Sequence, residues 1–427
     1  MARIEYIKLS LKRDEGENLA NLENYEVIEN VPQAYWLDGS PWHEANLWFL
    51  HLGRAVQLKM NAIATLHAYA TSLKLYMVFL EKESVDWLCF PEKWSGNVLL
   101  RYRGYLIGLR QDGKLASSTT KRRMSDILLF YTWVMNERLL SPSRALFEDK
   151  TVVRYVDAYA GFKKALTIKV KSLSIPDARN RNGFEDGLRP VSKLQKERIL
   201  EVARNSSSEE LYLMLLVAFS SGLRLGSVCD LKEKTITNAL RGVGENDLFA
   251  YLQVGPNVEG APVKTKFDKE GRIIMPLIVL RKIKDYMISI RRIERQAKAS
   301  PQNKNIIFLN RFGRPYVRGG NDKSSVINVE IFRLKKCAKL KGYDFRGFKF
   351  HRARATFASE VAATGLSAYG IDKIPMVIGL VRNLLMHTKE ETSLAYISFV
   401  LEENLMSEWA DLFFSKHVMT GASDRVL

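Results

Sequence analysis

The stretch His351-Arg-Ala-Arg-Ala-Thr-Phe-Ala358 places His351 and Arg354 three residues apart, within one turn of a predicted helix. His387 follows Arg354 by 33 residues, and Tyr396 follows His387 by nine, at the end of His-Thr-Lys-Glu-Glu-Thr-Ser-Leu-Ala-Tyr. A tyrosine hydroxyl has a pKa of about 10, so it attacks a phosphodiester well only where cations and a proton acceptor surround it. Two imidazoles and a guanidinium at this spacing supply that setting. The pattern therefore predicts phosphoryl transfer with Tyr396 as the nucleophile.

A second guanidinium stands upstream, in Ser220-Ser-Gly-Leu-Arg-Leu-Gly-Ser227, shortly after the apolar run Leu211–Phe219. A phosphate that is attacked in line gains charge on its equatorial oxygens. Planar guanidinium groups stabilise that negative charge better than ammonium groups, because each guanidinium can donate two parallel hydrogen bonds. Arg224 and Arg354 are therefore the predicted phosphate clamp.

These motifs resemble those of the tyrosine recombinase (phage integrase) family. That family has an Arg in a Gly-Leu-Arg turn, a His-x-x-Arg box, and a His nine residues before the nucleophilic Tyr. All of these elements occur here in the same order. The resemblance covers residues 190–415 through motifs and residues 55–175 more loosely, through architecture. It implies a covalent phosphotyrosine intermediate and no need for ATP or metal.

The resemblance also implies roles for the remaining groups. His351 would be the general base or acid, and His387 would help to bind the phosphate. The family places a catalytic lysine on the turn of a two-stranded hairpin, the position that Val263–Ile274 occupies here. Pairing Phe267 with Arg272 across an Asp-Lys-Glu-Gly turn favours Lys266, with Lys264 as the alternative.

The chain also departs from the family pattern. Ser227 stands where many relatives have Glu, Ala355 where a second His is frequent, and Met386 where Gly usually precedes the His. The segment from Arg354 to His387 is longer than in many relatives by about ten residues, which we place in a loop over residues 364–375. These changes suggest a divergent subfamily and remove no proposed catalytic group.

The composition is that of a soluble globular protein with several domains, 427 residues long and 46% hydrophobic. Residues 1–50 contain four Lys/Arg and nine Asp/Glu, a charge of −5, so of the net +18 the remainder carries +23. A sustained positive field favours a polyphosphate partner. Three widely spaced cysteines are typical of reduced thiols in the cytoplasm. No spacing indicates a metal site, and the N-terminus lacks a secretory signal.

Hydrophobic periodicity and turn residues predict a mainly α fold with a small antiparallel β-sheet, built from a helical core-type DNA-binding domain and a mixed α+β catalytic domain. The expected division is an N-terminal segment of unknown role (1–50), the helical domain (51–175), a linker (176–190), the catalytic domain (191–415) and a tail (416–427).

In the helical domain, four helices are expected, over residues 61–82, 98–109, 119–139 and 152–168. Residues 117–119 offer N-caps for the third, which puts a basic cluster on its first turn. We assign this cluster to DNA binding, and it comprises Lys121, Arg122 and Arg123.

In the catalytic domain, Ser192 and Gln195 indicate a capped helix start. Two strands are expected over residues 248–254 and 272–275, followed by a long helix over residues 277–297. Four more helices are predicted over residues 326–340, 351–363, 371–385 and 390–400. An apolar stripe on a short helix after the tyrosine contains Leu405, Trp409, Leu412 and Phe413.

The leading hypothesis is a site-specific DNA recombinase that integrates or excises a mobile element. It would act as a homo-tetramer on paired sites of double-stranded DNA, in the cytoplasm on the nucleoid, without cofactors. As in the family, the C-terminal stripe is a hypothetical docking segment for a neighbouring protomer. The alternatives are a type IB topoisomerase-like enzyme, a non-cleaving DNA-binding regulator with a recombinase fold, and a metal-dependent nuclease, which the lack of a two-metal carboxylate cluster disfavours.

Overall fold

The computed structural model divides into two compact units, residues 1–180 and 181–427. It describes residues 1–10, 27–58, 60–143, 145–157, 163–176, 184, 187–244, 246–317 and 324–415. Most of the expected linker and the whole expected tail therefore lie outside the described residues, and those boundaries stay predictions. The described elements are helices with three two-stranded antiparallel sheets, which confirms the predicted fold class.

The first unit packs a hairpin and four helices around one core. Strands β1 (Arg3–Ser10) and β2 (Val27–Tyr35) pair antiparallel, and α1 (His43–Gln57) packs on β2. Then follow α2 (Ile63–Glu83), α3 (Val98–Gln111) and α4 (Ser117–Asn136). Residues of the hairpin and of α1 lie in the same apolar cluster as those of α2 to α4. The first 50 residues thus help to build this core.

Helix α2 is the one described helix that is long and apolar enough to cross a membrane by length and composition. It contributes buried residues such as Leu73, Tyr76 and Met77 to the core of the first unit. Core helices of soluble proteins pass the same test, and the packing of α2 accounts for its composition.

The fourth helix predicted for this unit is wrong. Residues 149–171 form a ribbon of two antiparallel strands, β3 (Asp149–Asp157) and β4 (Lys163–Lys171), paired from Asp149 with Lys171 to Asp157 with Lys163. Both strands contain runs of β-branched residues, which are restricted in χ1 and favour extended backbone. That preference outweighs the helical spacing of the apolar residues.

In its described residues, the second unit contains the remaining helices and one hairpin. Its first part comprises α5 (Lys193–Ser206), α6 (Glu209–Ser221), α7 (Leu225–Cys229), α8 (Glu233–Arg241), β5 (Phe249–Val254) and β6 (Gly271–Pro276). Its second part comprises α9 (Leu277–Met287), α10 (Ile290–Ala297), α11 (Ser325–Leu340), α12 (Arg352–Tyr369), α13 (Ile374–Leu385) and α14 (Glu390–Phe413). The cap of α5 is confirmed, because Ser192 Oγ accepts a hydrogen bond from the Gln195 amide.

Several boundaries differ from the predictions. The long helix expected over residues 277–297 is two helices, because Ser289 caps a new start at Ile290. The loop expected over residues 364–375 is wrong in its first half, since α12 continues to Tyr369. The apolar stripe lies on α14 itself, which runs on from Tyr396 without a break.

An ion network around the buried Glu210 holds α6 against α10. Glu210 accepts hydrogen bonds from Arg291 at 2.7 and 2.9 Å and from Tyr286 at 2.9 Å, and it forms an ion pair with Arg295 at 2.9 Å. Burial opposes ionisation of Glu210, but the hydrogen bond from Arg291 and the charge of Arg295 outweigh it and leave the pKa of Glu210 below its ordinary value. The network fixes the helix that leads into the Arg224 motif.

Candidate active site

Arg354 joins three of the sequence motifs. It lies in the first turn of α12 and is 1% exposed. Its Nη1 donates to the Gly222 carbonyl at 2.6 Å, and its Nη2 donates to the Leu385 carbonyl at 2.7 Å. Gly222 stands two residues before Arg224, and Leu385 stands two residues before His387. One guanidinium therefore fixes both neighbouring segments, and we call this arrangement the motif junction: Gly222, Arg224, Arg354, Leu385, His387, Ser393 and Tyr396.

Gly222 sets the position of Arg224. It ends α6 in the left-handed region, with φ +67°, where glycine carries no side-chain penalty. A Cβ at this position would lie 2.6 Å from the Phe357 ring. The chain then turns through the half-buried Arg224, which is the N-cap residue of α7.

His387 is positioned by the turn that ends α13. Met386 adopts φ +52°, and the His387 amide donates to the Arg382 carbonyl at 3.0 Å. The imidazole is 3% exposed, and its Nδ1 lies 2.9 Å from Ser393 Oγ. Ser393 is buried on the first turns of α14. This hydrogen bond restricts the rotation of the ring.

Tyr396 lies in the same helix and is 1% exposed. Its ring stacks on the His387 imidazole with centroids 6.0 Å apart, and it packs on Phe184 at 5.2 Å. Apolar residues of α12, α13 and α14 surround it. The structure thus brings Arg354, His387 and Tyr396 into one region, with the tyrosine held inside the protein, and their catalytic roles stay predictions.

His351 is half-buried at the N-cap of α12, immediately before Arg352. Arg352 anchors this end of the helix by donating to the carbonyls of Arg189 and Pro190, at 2.9 Å each. Burial lowers the pKa of Arg352. His351 thus lies one helical turn from Arg354, as its spacing predicts.

The lysine loop differs from the prediction. Gln253 pairs with Arg272 and Val254 with Gly271, so the expected pairing of Phe267 with Arg272 is wrong. The connection from β5 to β6 spans residues 255–270 and contains both lysine candidates, Lys264 and Lys266, each exposed.

The backbone of Lys264 is tied to α7. Its amide donates to Asp230 Oδ2 at 2.7 Å, and its carbonyl accepts from Ser227 Oγ at 2.9 Å. Lys266 stands on a short 3₁₀ turn, with its ammonium 5.4 Å from the Phe267 ring. The helix that starts at Arg224 therefore holds Lys264 more directly than Lys266.

The end of this loop also touches the His387 segment. A Cβ built on Gly271 would lie 2.3 Å from the sulfur of Met386. Gly271 therefore permits the close packing of Met386, the residue that precedes His387 and replaces the family's glycine.

The predicted DNA-binding cluster lies in the second turn of α4. The helix begins at Ser117 with Ala116 at its N-cap, so the predicted caps at residues 117–119 lie inside the helix. Arg122 is exposed and lies 3.6 Å from Asp126, while Lys121 and Arg123 are half-buried.

Within the described part of the chain, no three His, Cys, Asp or Glu residues are grouped as a metal site. Sequence reasoning missed three residues that organise the site: Ser227, Asp230 and Ser393. Ser227 was visible only as a departure from the family pattern. The other two carry no local signal, because their partners are distant along the chain or across a helix end.

Comparison with known proteins places residues 191–375 in the phage integrase family model. No curated protein matches the chain. Among solved structures, a XerH site-specific recombinase bound to a palindromic difH substrate in a post-cleavage complex is similar at 14% identity and a TM-score of 0.49, over 87% of this chain and 84% of that one.

A Tn1549 transposon integrase in complex with circular intermediate DNA is similar at 13% identity and a TM-score of 0.44, over 77% of this chain and 94% of that one. A lambda integrase dimer bound to a COC′ core site is similar at 13% identity and a TM-score of 0.44, over 82% and 94%. These identities and TM-scores are too low to support an argument about function. The family assignment of residues 191–375 rests on the family-model match and on the motifs that the fold brings together. Residues 191–375, within the second unit, therefore form a domain that matches the phage integrase family.

Proposed function

We propose that this protein is a site-specific DNA recombinase that cuts and rejoins double-stranded DNA through Tyr396. The observation that carries the proposal is the motif junction, where the Arg354 guanidinium holds the segments of Arg224 and His387 and where His387 stacks on Tyr396. The family match over residues 191–375 supports the same chemistry.

In the proposed reaction, Tyr396 Oη attacks a phosphorus atom of the DNA backbone. The new phosphotyrosine bond forms as the bond to the 5′ oxygen of the next deoxyribose breaks. His351 accepts the tyrosine proton, and a lysine, Lys264 or Lys266, protonates the departing oxygen. Attack by a deoxyribose hydroxyl reverses both steps, so the energy of the broken bond is kept for rejoining.

Arg224 and Arg354 would bind the equatorial phosphate oxygens with His387. Because Tyr396 is 1% exposed, its hydroxyl reaches a phosphate only after the start of α14 shifts. We therefore propose that DNA binding and exposure of Tyr396 are coupled.

The proposed partners are duplex DNA and further copies of the chain. Residues 51–427 carry a charge of +23, obtained as +18 minus −5, and such a field favours DNA through counterion release. Lys121, Arg122 and Arg123 are the proposed phosphate contacts of the first unit. Strand exchange between two sites requires four protomers, and the second half of α14 is the proposed contact between them. Integration or excision of a mobile element is the proposed use, on the nucleoid.

Covalent trapping tests the reaction. The wild type and Tyr396→Phe are incubated with nicked duplexes from DNA flanking the gene, and denaturing gels are read for a protein–DNA adduct. We expect an adduct with the wild type and none with Tyr396→Phe, because only the phenolic oxygen can form the bond. Tyr369→Phe is the matched control, since Tyr369 is an exposed tyrosine of the same unit. An adduct that persists in Tyr396→Phe, or DNA binding by the wild type without any adduct, would contradict the proposal.

A further inference from the structure

The β3–β4 ribbon is firmly anchored at its base. Leu146 before β3 and Leu173 and Ile175 after β4 are buried in the core of the first unit. At the junction, the Ser172 amide donates to the Glu148 carbonyl at 2.7 Å, and the Glu148 amide donates to Ser172 Oγ at 3.1 Å. The strands therefore leave the core from a fixed point.

Next to its base, at the described side chains of residues 150–153, 167 and 169, the ribbon presents both faces to solvent. Successive residues of a strand point to opposite faces. Val152 is 39% exposed and Val153 is 49% exposed, so neither face is covered at this level. Lys150, Thr151, Thr167 and Lys169 are exposed as well. A two-stranded hairpin alone is marginally stable in water, and this one leaves apolar side chains uncovered.

The charge of the ribbon indicates the chemical class of its binding partner. The two strands contain six Lys/Arg and two Asp, a net charge of +4. Among the described side chains, Lys150 and Lys169 are exposed beside Val152 and Val153, and Lys171 pairs with Asp149 at 3.6 Å. A polyanion complements this charge, and the backbone of duplex DNA is one.

We propose that the β3–β4 ribbon is a DNA-binding arm that enters the major groove of duplex DNA. A strand of nine residues is about 30 Å long, and a two-stranded ribbon fits the major groove, which is about 12 Å wide. Thr151 pairs with Lys169, so Lys150 and Val152 share one face of the ribbon and Lys169 and Val153 share the other. One of the two valines faces the bases, and the long side chains of both lysines reach phosphates at the edges of the groove. The inference rests on the proposed function for its ligand, double-stranded DNA, and assigns that ligand a site outside the motif junction.

The salt dependence of DNA binding tests this arm. Fluorescence anisotropy with a short labelled, unnicked duplex is measured over a series of NaCl concentrations for the wild type and for Lys150→Gln/Lys169→Gln. The slope of log K against log [salt] falls by about 0.9 for each lost phosphate contact. We expect the double variant to bind more weakly, with a slope smaller by up to about 1.8, which is two such contacts. Lys82→Gln/Lys93→Gln removes two exposed lysines of the same unit outside the ribbon and is expected to keep the wild-type slope.

Three results would overturn the proposal. One is a wild-type slope and affinity in Lys150→Gln/Lys169→Gln, with an unchanged circular-dichroism melting curve. Another is an equal fall in slope in Lys82→Gln/Lys93→Gln, because the slope would then respond to the loss of any two lysine charges. The third is unchanged DNA binding with reduced self-association in sedimentation, which would assign the ribbon to a second copy. Binding needs no cleavage, so a failure of the Tyr396 chemistry leaves this test readable.

Discussion

The motif junction and the second half of α14 are adjacent in the chain, but their side chains lie in opposite environments. Arg354, His387 and Tyr396 are almost completely buried, and each contacts another segment of the second unit. From residue 402 to its end at Phe413, every residue of α14 is exposed, including Trp409 at 57%. The same helix therefore leaves the core a few residues after Tyr396.

The difference separates two kinds of functional group. At the motif junction, the residues of the proposed chemistry are also the residues that hold the second unit together, so substitutions should affect stability and activity at once. On the second half of α14, the apolar residues contribute little to the isolated chain, so substitutions should affect only assembly. We therefore expect substitutions at the motif junction to lower the free energy of unfolding more than substitutions on the second half of α14.

The largest effect is expected for Arg354→Ala. The variant loses two hydrogen bonds from a charged donor, each worth about 1.5–3 kcal/mol, so we expect the free energy of unfolding to fall by about 3 kcal/mol and the adduct to vanish. Urea unfolding and covalent trapping measure the two results. Arg224→Ala is the comparison, because Arg224 is half-buried at the start of α7. It should lose the adduct at a cost in stability of less than about 1 kcal/mol. If Arg354→Ala and Arg224→Ala lowered the free energy of unfolding equally, the expected difference between the buried and the half-buried arginine would be wrong.

A smaller effect is expected for Ser393→Ala, which removes the hydrogen bond to His387 Nδ1. Stability should fall by about 1 kcal/mol. The rate of adduct formation should fall by less than the roughly 100-fold that loss of a general acid or base costs. Ser393→Thr retains the hydroxyl and should restore the rate. A wild-type rate of adduct formation in Ser393→Ala would contradict a positioning role for this hydroxyl.

The smallest effect on stability is expected for Trp409→Ser. Since Trp409 is exposed and stacks on Phe413 of the next turn of α14, the free energy of unfolding should change by less than about 0.5 kcal/mol. If α14 joins protomers, the complex formed on DNA should become smaller in sedimentation. A stable variant that assembles like the wild type would remove α14 from the proposed interface.

The sequence was sufficient for the parts of the site that depend on local spacing. The His351 and Arg354 box on one helix turn and the Ser192 cap both follow from short-range rules. The contacts that organise the site do not, because they join residues far apart in the chain. The bonds from Arg354 to Gly222 and Leu385, and from Lys264 to Asp230, depend on how the helices pack. The β3–β4 ribbon was predicted as a helix because its apolar spacing fits both structures, and β-branched residues decided between them.

The contact between Gly271 and Met386 has an evolutionary consequence. A side chain at position 271 would occupy the space of the Met386 sulfur, so the two positions share one small volume. In related sequences, we expect a residue larger than glycine at the position of Gly271 only where glycine or alanine has replaced Met386. The unusual methionine before His387 should therefore be inherited together with a glycine from a different part of the chain, as a linked pair.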